Sequence, residues 1–352
     1  MRVLHLIPTL GGGGAERQIA ALTSGLRALA CDVHVGIVSG GAQLARVEAA
    51  GATIHRISTH GNYDPLLPLR IARLIRSVRP DVVQTWLTQM DVVGGIAAMM
   101  TRTPWVLSER TNKVYYPRDA KHGLRHFVGR FARAIVANSP GGVEYWTNAR
   151  VPKTVIPNAL PLAEIDAAPR DASDFGAREV LLFAGRFDAA KNLPHLIDAL
   201  AKVVHERDAV ALLCGEGPLE HEVRARIAHH NASDRIRLLG FRSDVWSLMK
   251  RTDVLVAPSW FEGQPNAVLE AIACGCPLVV SDIPGHRAFL DDSSALFAPP
   301  DDADALSRAI THALDDRDAA RARAANARER INEWTIGRVS AAYVRVYQEA
   351  LS

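Results

Sequence analysis

Short apolar runs recur along the chain, separated by stretches in which apolar residues return every three or four positions. The first run, Val3 to Ile7, is followed by Gly11 to Gly14 and then by helical spacing from Ala15 to Leu29, which predicts strand, glycine turn and helix. The alternation repeats. Val33 to Val38, Thr53 to Ile57, Val82 to Thr85, Trp105 to Ser108, Ala134 to Ala137 and Thr154 to Ile156 read as strands, most of them preceded by helical stretches. Strands alternating with helices build a parallel sheet with helices on both faces, so the expected class is α/β.

Periodicity breaks at Ile156-Pro157-Asn158-Ala159-Leu160-Pro161, and a polar patch from Pro169 to Arg178 leads into a second series. There Val180 to Ala184, Val210 to Cys214, Ile236 to Leu239, Val254 to Ala257 and Leu278 to Ser281 read as buried strands, separated by helices such as Leu193 to His205 and Pro218 to His229. Two Rossmann-like domains, 1–160 and 161–334, follow from this restart. The tail from Ala303 to Ser352 is helical in character, and its Trp334 to Leu351 portion carries enough apolar residues to pack on something. By analogy of fold, a helix over about 335–352 crosses back to the first domain.

Length agrees with two domains, since 352 residues exceed one ordinary core. With 48% hydrophobic and 22% charged residues the composition is that of a soluble globular enzyme. The first apolar stretch lacks the length and cleavage region of a signal peptide, and Val92 to Met100 falls well short of the roughly 20 residues that cross a bilayer. A cytoplasmic protein is expected. Cys31, Cys214, Cys274 and Cys276 have neither zinc-site nor disulfide-framework spacing and read as small buried thiols. Residues 1–165 hold 19 Lys and Arg against 10 Asp and Glu, a balance of +9, while the whole chain is only +3. The N-terminal half is therefore the one suited to an anionic surface or substrate.

The strongest chemical signal is Ser259-Trp-Phe-Glu262-Gly263-Gln-Pro265-Asn266-Ala-Val-Leu-Glu270-Ala, which follows a predicted strand. Pro265 suits the first turn of a helix and Gly275 its end, which leaves Glu262 in the loop before the helix and Glu270 in its second turn. Free N–H groups at a helix start suit a diphosphate. A carboxylate one turn further in can accept both hydroxyls of a ribose, and one at the mouth can meet hydroxyls of a sugar. Two acids near a helix start would also simply complement its dipole.

A second signal is Phe183-Ala-Gly185-Arg186-Phe-Asp-Ala-Ala-Lys191-Asn192, where a strand ends in a loop with two cations. Ligands bind at strand C-termini in such sheets, and paired cations there suit a diphosphate leaving group whose charge grows in the transition state. Two solvated loop cations are the plainer alternative.

Together, Gly185-Arg186, Lys191-Asn192, Glu262-Gly-x-Pro-Asn and Glu270-Ala resemble family four of the retaining glycosyltransferases, whose fold is GT-B: two Rossmann-like domains facing a cleft. Gly13-Gly14-Ala15-Glu16-Arg17, Gly215-Glu-Gly217-Pro218 and Leu239-Gly240-Phe241 are similar too, so the resemblance covers nearly the whole chain. It implies Arg186 and Lys191 on the donor diphosphate, Glu270 on the ribose, Glu262 on the transferred sugar and the backbone around Phe241 on the base. Gly263, Pro265 and Asn266 belong to the same donor loop. Gly13 and Gly14 would let the first domain's backbone approach donor phosphates and acceptor. Taken alone, the glycine turn matches neither a G-x-G-x-x-G fingerprint nor a P-loop.

The implied activity is transfer of a hexose or N-acetylhexosamine, from a UDP-sugar in the favoured case, to a glycan acceptor linked to polyprenyl diphosphate, with no cofactor and no metal. No Asp-x-Asp pair stands at a predicted strand end to hold one. Members of this family often carry a histidine after a strand of the first domain. Here that strand runs Trp105-Val-Leu-Ser108-Glu109-Arg110-Thr111-Asn112, so Glu109 and Arg110 stand in its place, either positioning substrate or forming a structural ion pair. His5, His34, His55 and His60 have no evident partners in sequence and read as bland.

Basic residues recur among apolar ones in Leu69 to Arg79 (Arg70, Arg73, Arg76, Arg79) and in Arg118 to Arg133 (Lys121, Arg125, Arg130, Arg133). Such faces suit an anionic membrane, with peripheral attachment to its inner side, or are ordinary solvated helices. No nucleic-acid motif accompanies them. Two rival functions remain at this point: a nucleotide-sugar epimerase of similar fold, and a catalytically silent nucleotide-sugar-binding subunit.

Overall fold

The structure is a computed structural model that describes residues 1–61, 64–112, 116–117 and 119–352. It divides into two compact units, Met1–Leu160 with Trp334–Ser352, and Pro161–Glu333.

The first unit holds strands β1 (Arg2–Thr9), β2 (Asp32–Ser39), β3 (Thr53–Arg56), β4 (Val82–Trp86), β5 (Trp105–Glu109), β6 (Ala134–Ala137) and β7 (Lys153–Val155). Their order is β3-β2-β1-β4-β5-β6-β7 and every pairing is parallel. All residues of β4, β5 and β6 are buried, as required of strands covered on both faces by helices. That is why β6 is apolar throughout, while β4 and β5 bury the polar residues Gln84, Thr85, Ser108 and Glu109 as well. Gly14, assigned from sequence to the glycine turn, is the first residue of the helix Gly14–Ala28, with Gly13 as its extended N-cap.

The second unit holds β8 (Glu179–Ala184), β9 (Ala209–Cys214), β10 (Ile236–Gly240), β11 (Val254–Ala257), β12 (Leu278–Ser281) and β13 (Leu296–Ala298), in the parallel order β10-β9-β8-β11-β12-β13. Strand β13, three residues at a sheet edge, was not among the strands read from the sequence. In each sheet the strand order reverses once, between β1 and β4 and between β8 and β11, and the loops leaving these strand pairs diverge to leave a crevice.

The last helix, Ile336–Leu351, packs in the first unit against Gly14–Ala28, with Tyr343 and Tyr347 buried and the Tyr347 hydroxyl donating to Gln84 Oε1. The chain passes between the units twice, and the first unit holds both passages side by side. Leu160 N donates to Trp334 O at 2.8 Å, while the Gln18 amide both donates to Ala159 O (3.1 Å) and accepts from Ala159 N (2.7 Å). Among the described residues no helix is long and apolar enough to cross a membrane. The four cysteines are free, and all but Cys274 are buried.

Candidate functional site

The crevice at the β8/β11 reversal gathers most of the residues singled out in the second unit. Asn192, left-handed at φ 54°, ends a short 3₁₀ turn (Ala189–Lys191) and caps the helix Leu193–Glu206. Asparagine tolerates this conformation better than most residues. Its Nδ2 donates to Pro258 O at 3.0 Å and Trp260 N donates to Ala190 O at 2.9 Å, so the loop after β8 is laced to the loop after β11. The loop after β9 closes on the first of these. Gly215, at φ 145°, lies so near Gly185 that a Cβ on it would stand 1.8 Å from Gly185 O, and Phe187 N donates to Glu216 O at 2.9 Å.

Within this frame Lys191 Nζ donates to Glu262 Oε1 at 2.5 Å, and Ser259 Oγ donates to the same oxygen at 2.7 Å. The Glu262 side chain is 12% exposed and that of Lys191 21%. Burial pushes the Glu262 carboxyl up, but the Lys191 ammonium and the hydrogen bonds from Lys191 and Ser259 hold it below the ordinary carboxylate value. It is a pre-formed anion at neutral pH. Arg186 does not join Lys191: its side chain is 73% exposed, and its nearest carboxylate contact is Asp188 Oδ2 at 3.8 Å. The two cations of this loop therefore do not converge in this structure. One is held by a carboxylate and the other faces solvent.

Pro265 is the N-cap of the helix Asn266–Ala273 rather than part of its first turn, and Gly275 follows the end. Glu270 is buried in the second turn and accepts from Trp246 Nε1 at 3.1 Å. Gly263, Pro265 and Asn266 are buried. Phe241 is 62% exposed, and its N–H donates to Glu216 Oε1 at 3.3 Å. Two residues that sequence reasoning missed back this loop, Ser281 and His286, joined to it through Ser259 O, which accepts from Ser281 Oγ at 2.6 Å. Their only signal in sequence is a serine that closes a buried strand and a histidine five residues on.

In the first unit, Gly13 lies under the Glu16 side chain, whose Oε2 would be 2.4 Å from a Cβ at Gly13. The close approach that glycine permits here is made by the protein's own carboxylate. Glu109 is wholly buried, and both of its oxygens are occupied: Oε1 accepts from Thr111 N (3.1 Å) and Tyr116 Oη (2.7 Å), Oε2 from Arg125 Nη1 (2.8 Å) and Trp146 Nε1 (3.0 Å). Its ion pair is with Arg125 and not with the neighbouring Arg110. Arg110 stacks 5.0 Å above the Trp86 ring and donates to Tyr343 Oη at 3.1 Å and to Asn158 Oδ1, tying the last helix to the first domain crossing. His34 and His55 are partnered after all, ring to ring at 2.9 Å.

Arg125 corrects the reading of the basic helix. It is 1% exposed, and its Nε donates to Asp91 Oδ2 at 2.8 Å while Nη1 reaches Glu109, so it is a core cation and not part of a surface. Burial raises the Asp91 carboxyl to about 6, against the pull of Arg125. Lys121, Arg130 and Arg133 are exposed, as are Leu124, Phe127 and Phe131. Arg70 is also paired, with Asp64 at 2.5 Å. Arg118, where the basic run begins, lies outside the described residues.

Two parallel sheets, each reversed once, with a polar crevice at the reversal of the second, define an α/β enzyme built from two Rossmann-like halves. Residues 166–330 match the glycosyl transferases group 1 and residues 12–164 match glycosyltransferase family 4. The chain belongs to the group 1, family-four glycosyltransferases, retaining enzymes of GT-B fold. Among similar proteins, it is 27% identical over 339 residues, 88% of this chain and 89% of the relative, to the Campylobacter jejuni N-acetylgalactosamine-N,N'-diacetylbacillosaminyl-diphospho-undecaprenol 4-alpha-N-acetylgalactosaminyltransferase. It is 23% identical, over 71% of this chain and 70% of the relative, to the Escherichia coli UDP-Gal:alpha-D-GlcNAc-diphosphoundecaprenol alpha-1,3-galactosyltransferase. The Anabaena protein HepE in complex with UDP-glucose has the same fold, with a TM-score of 0.87 at 21% identity over 98% of each chain.

Proposed function

We propose that this glycosyltransferase moves a hexose or N-acetylhexosamine from a UDP-sugar to a glycan carried on polyprenyl diphosphate, with its donor held by the second unit. The observation that carries the reading is the Lys191–Glu262–Ser259 cluster at the strand reversal, a largely buried carboxylate and an ammonium held ready where ligands of such sheets bind. The names of the C. jejuni and E. coli relatives support the lipid-linked acceptor.

Arg186 and Lys191 take the donor diphosphate, Glu270 the ribose, Glu262 the hydroxyls of the transferred sugar, and the backbone at Phe241 the base, with Gly263, Pro265 and Asn266 shaping the loop. As the glycosidic bond breaks, negative charge grows on the departing diphosphate, and the two cations with the start of the helix Asn266–Ala273 stabilise it. Glu262, paired and oriented by Ser259, orients the sugar without bonding to it, so the acceptor attacks from the face the diphosphate leaves. Glu109 and Arg110 act at one remove, fixing the chain after β5 where the family's histidine is missing. Gly13 and Gly14 serve the anionic substrates only when Glu16 moves aside.

The exposed Leu124, Phe127 and Phe131, bordered by Lys121, Arg130 and Arg133, support attachment to an anionic membrane where such an acceptor resides. The test is incubation of the purified chain with each of UDP-glucose, UDP-galactose, UDP-N-acetylglucosamine and UDP-N-acetylgalactosamine and a polyprenyl-diphosphate-linked saccharide. Glycan extension with retained anomeric configuration is expected from at least one donor. UDP release without extension of any lipid-linked acceptor would move the reading to a soluble acceptor.

A further inference from the structure

From Ser281, the last residue of β12, the chain turns through Asp282 and Ile283 into the short helix Pro284–Arg287, and this segment folds against the turn that carries Glu262. Gly285 comes so near that a Cβ on it would lie 2.3 Å from Glu262 O, a gap no other residue could occupy without displacing that turn. His286 is fully buried. Its Nδ1 lies 2.9 Å from Ser281 O, and because a carbonyl only accepts, the proton sits on Nδ1 and Nε2 carries the lone pair. Ser281 Oγ donates to Ser259 O, and Ser259 Oγ to Glu262. A continuous polar chain thus runs from His286 through Ser281 and Ser259 to Glu262 and Lys191.

Among the described residues His286 Nε2 is buried with no hydrogen-bond partner. An unsatisfied buried acceptor costs stability that an aliphatic side chain in the same space would not, so packing does not account for an imidazole here. The charged groups facing the ring are Glu262 from the turn after β11, Lys191 from the loop after β8 and Asp282 from its own turn. A neutral ring at this place anchors the turn without adding a cation that would compete with Lys191 for the carboxylate.

We propose that His286 is a positioning residue for Glu262, holding through Ser281 and Ser259 the orientation in which that carboxylate meets the transferred sugar. This rests on the donor-site reading above. Three variants of the full chain, His286→Leu, His286→Asn and His286→Gln, test it. The Leu variant is expected to bind UDP within about 2-fold of the parent by calorimetry while kcat for the UDP-sugar the parent uses falls on the order of 10- to 100-fold, as for a misplaced contact. Its amide exchange should quicken at 259–263 and stay unchanged at 185–192. The Asn variant, which keeps an N–H donor near the Nδ1 position, should recover most of the turnover, and the Gln variant, with its amide one carbon further out, should not. Equal turnover in Asn and Gln variants, or a Leu variant that loses UDP affinity and kcat together, would overturn the proposal. The Asn and Gln ranking decides the matter if the Leu variant fails to fold. A parent that releases UDP from none of the four sugars would overturn the donor reading instead, and the exchange pattern would still decide what His286 does.

Discussion

Lys191 and Glu262 stand 71 residues apart in the chain and meet at 2.5 Å beyond the adjacent strands β8 and β11. On the proposed roles each has a different partner in the loaded site, the diphosphate for the ammonium and sugar hydroxyls for the carboxylate. Donor binding then exchanges one internal ion pair for two external contacts.

Lys191→Ala and Arg186→Ala should each lower turnover by about two orders of magnitude, as for a lost stabiliser of a leaving group. They should differ in stability. Removing Lys191 strips a largely buried carboxylate of its cation, a loss of roughly 1–3 kcal/mol, whereas Arg186 is exposed and its removal should leave the thermal midpoint unchanged. Steady-state kinetics with thermal denaturation of both variants is the check, and near-normal turnover in either would mean the diphosphate lies elsewhere.

Glu270→Ala should weaken UDP binding by roughly 10-fold, the worth of one charge-assisted hydrogen bond. Glu262→Gln should leave UDP affinity intact and lower turnover on the order of 100-fold. Titration calorimetry with UDP alone separates the two, and equal losses of affinity would contradict the assignment of ribose to one and sugar to the other.

Arg125→Ala leaves Asp91 and Glu109 without their cation in the core, which should cost about 3–5 kcal/mol, while Arg130→Glu and Arg133→Glu should leave stability unchanged. The same Arg130→Glu, Arg133→Glu pair should weaken sedimentation with anionic liposomes by about 1 kcal/mol for each basic residue lost. Phe127→Ser with Phe131→Ser should weaken it further. Liposome binding indifferent to lipid charge and to all four changes would leave this segment an ordinary solvated face.

Burial depresses His5 to about 3, with its Nδ1 accepting from Trp86 Nε1 at 3.1 Å. The folded value lies below that of the unfolded chain, so the unfolded state takes up a proton first as pH falls. Stability from this residue is therefore complete above about pH 6.5 and is lost progressively toward pH 3, at roughly 1.4 kcal/mol per pH unit. His5→Asn, whose carbonyl can still accept from Trp86, should flatten the fall in urea midpoint between pH 7 and pH 5. An unchanged fall in that variant would assign the acid sensitivity to other groups.

Much of the fold was legible in the chain because parallel strands covered on both faces must be nearly all apolar, and turns between them need Gly, Pro or Asn. The runs at Ala134, Val254 and Leu278 and the breaks at Pro157 and Pro161 follow directly from that requirement, while the three-residue edge strand β13 went unread. The position of Glu270 in a second turn was equally local, fixed by Pro265 and Gly275. What the chain alone did not disclose depends on strand order. Nothing near Arg125 neutralises it, so a basic amphipathic helix reads as surface until β4 and β5 lie side by side and bring Asp91 and Glu109 to it. Lys191 reads as a partner for Arg186 until β8 and β11 become neighbours and place Glu262 closer. His286 reads as nothing at all, because its contacts to the Glu262 turn pass through two serines, one closing β12 and one in the loop after β11. Local spacing specifies elements within a turn or two of helix, while the pairing of charges and the burial of a histidine are set by contacts between residues distant in sequence, which only the folded sheets bring together.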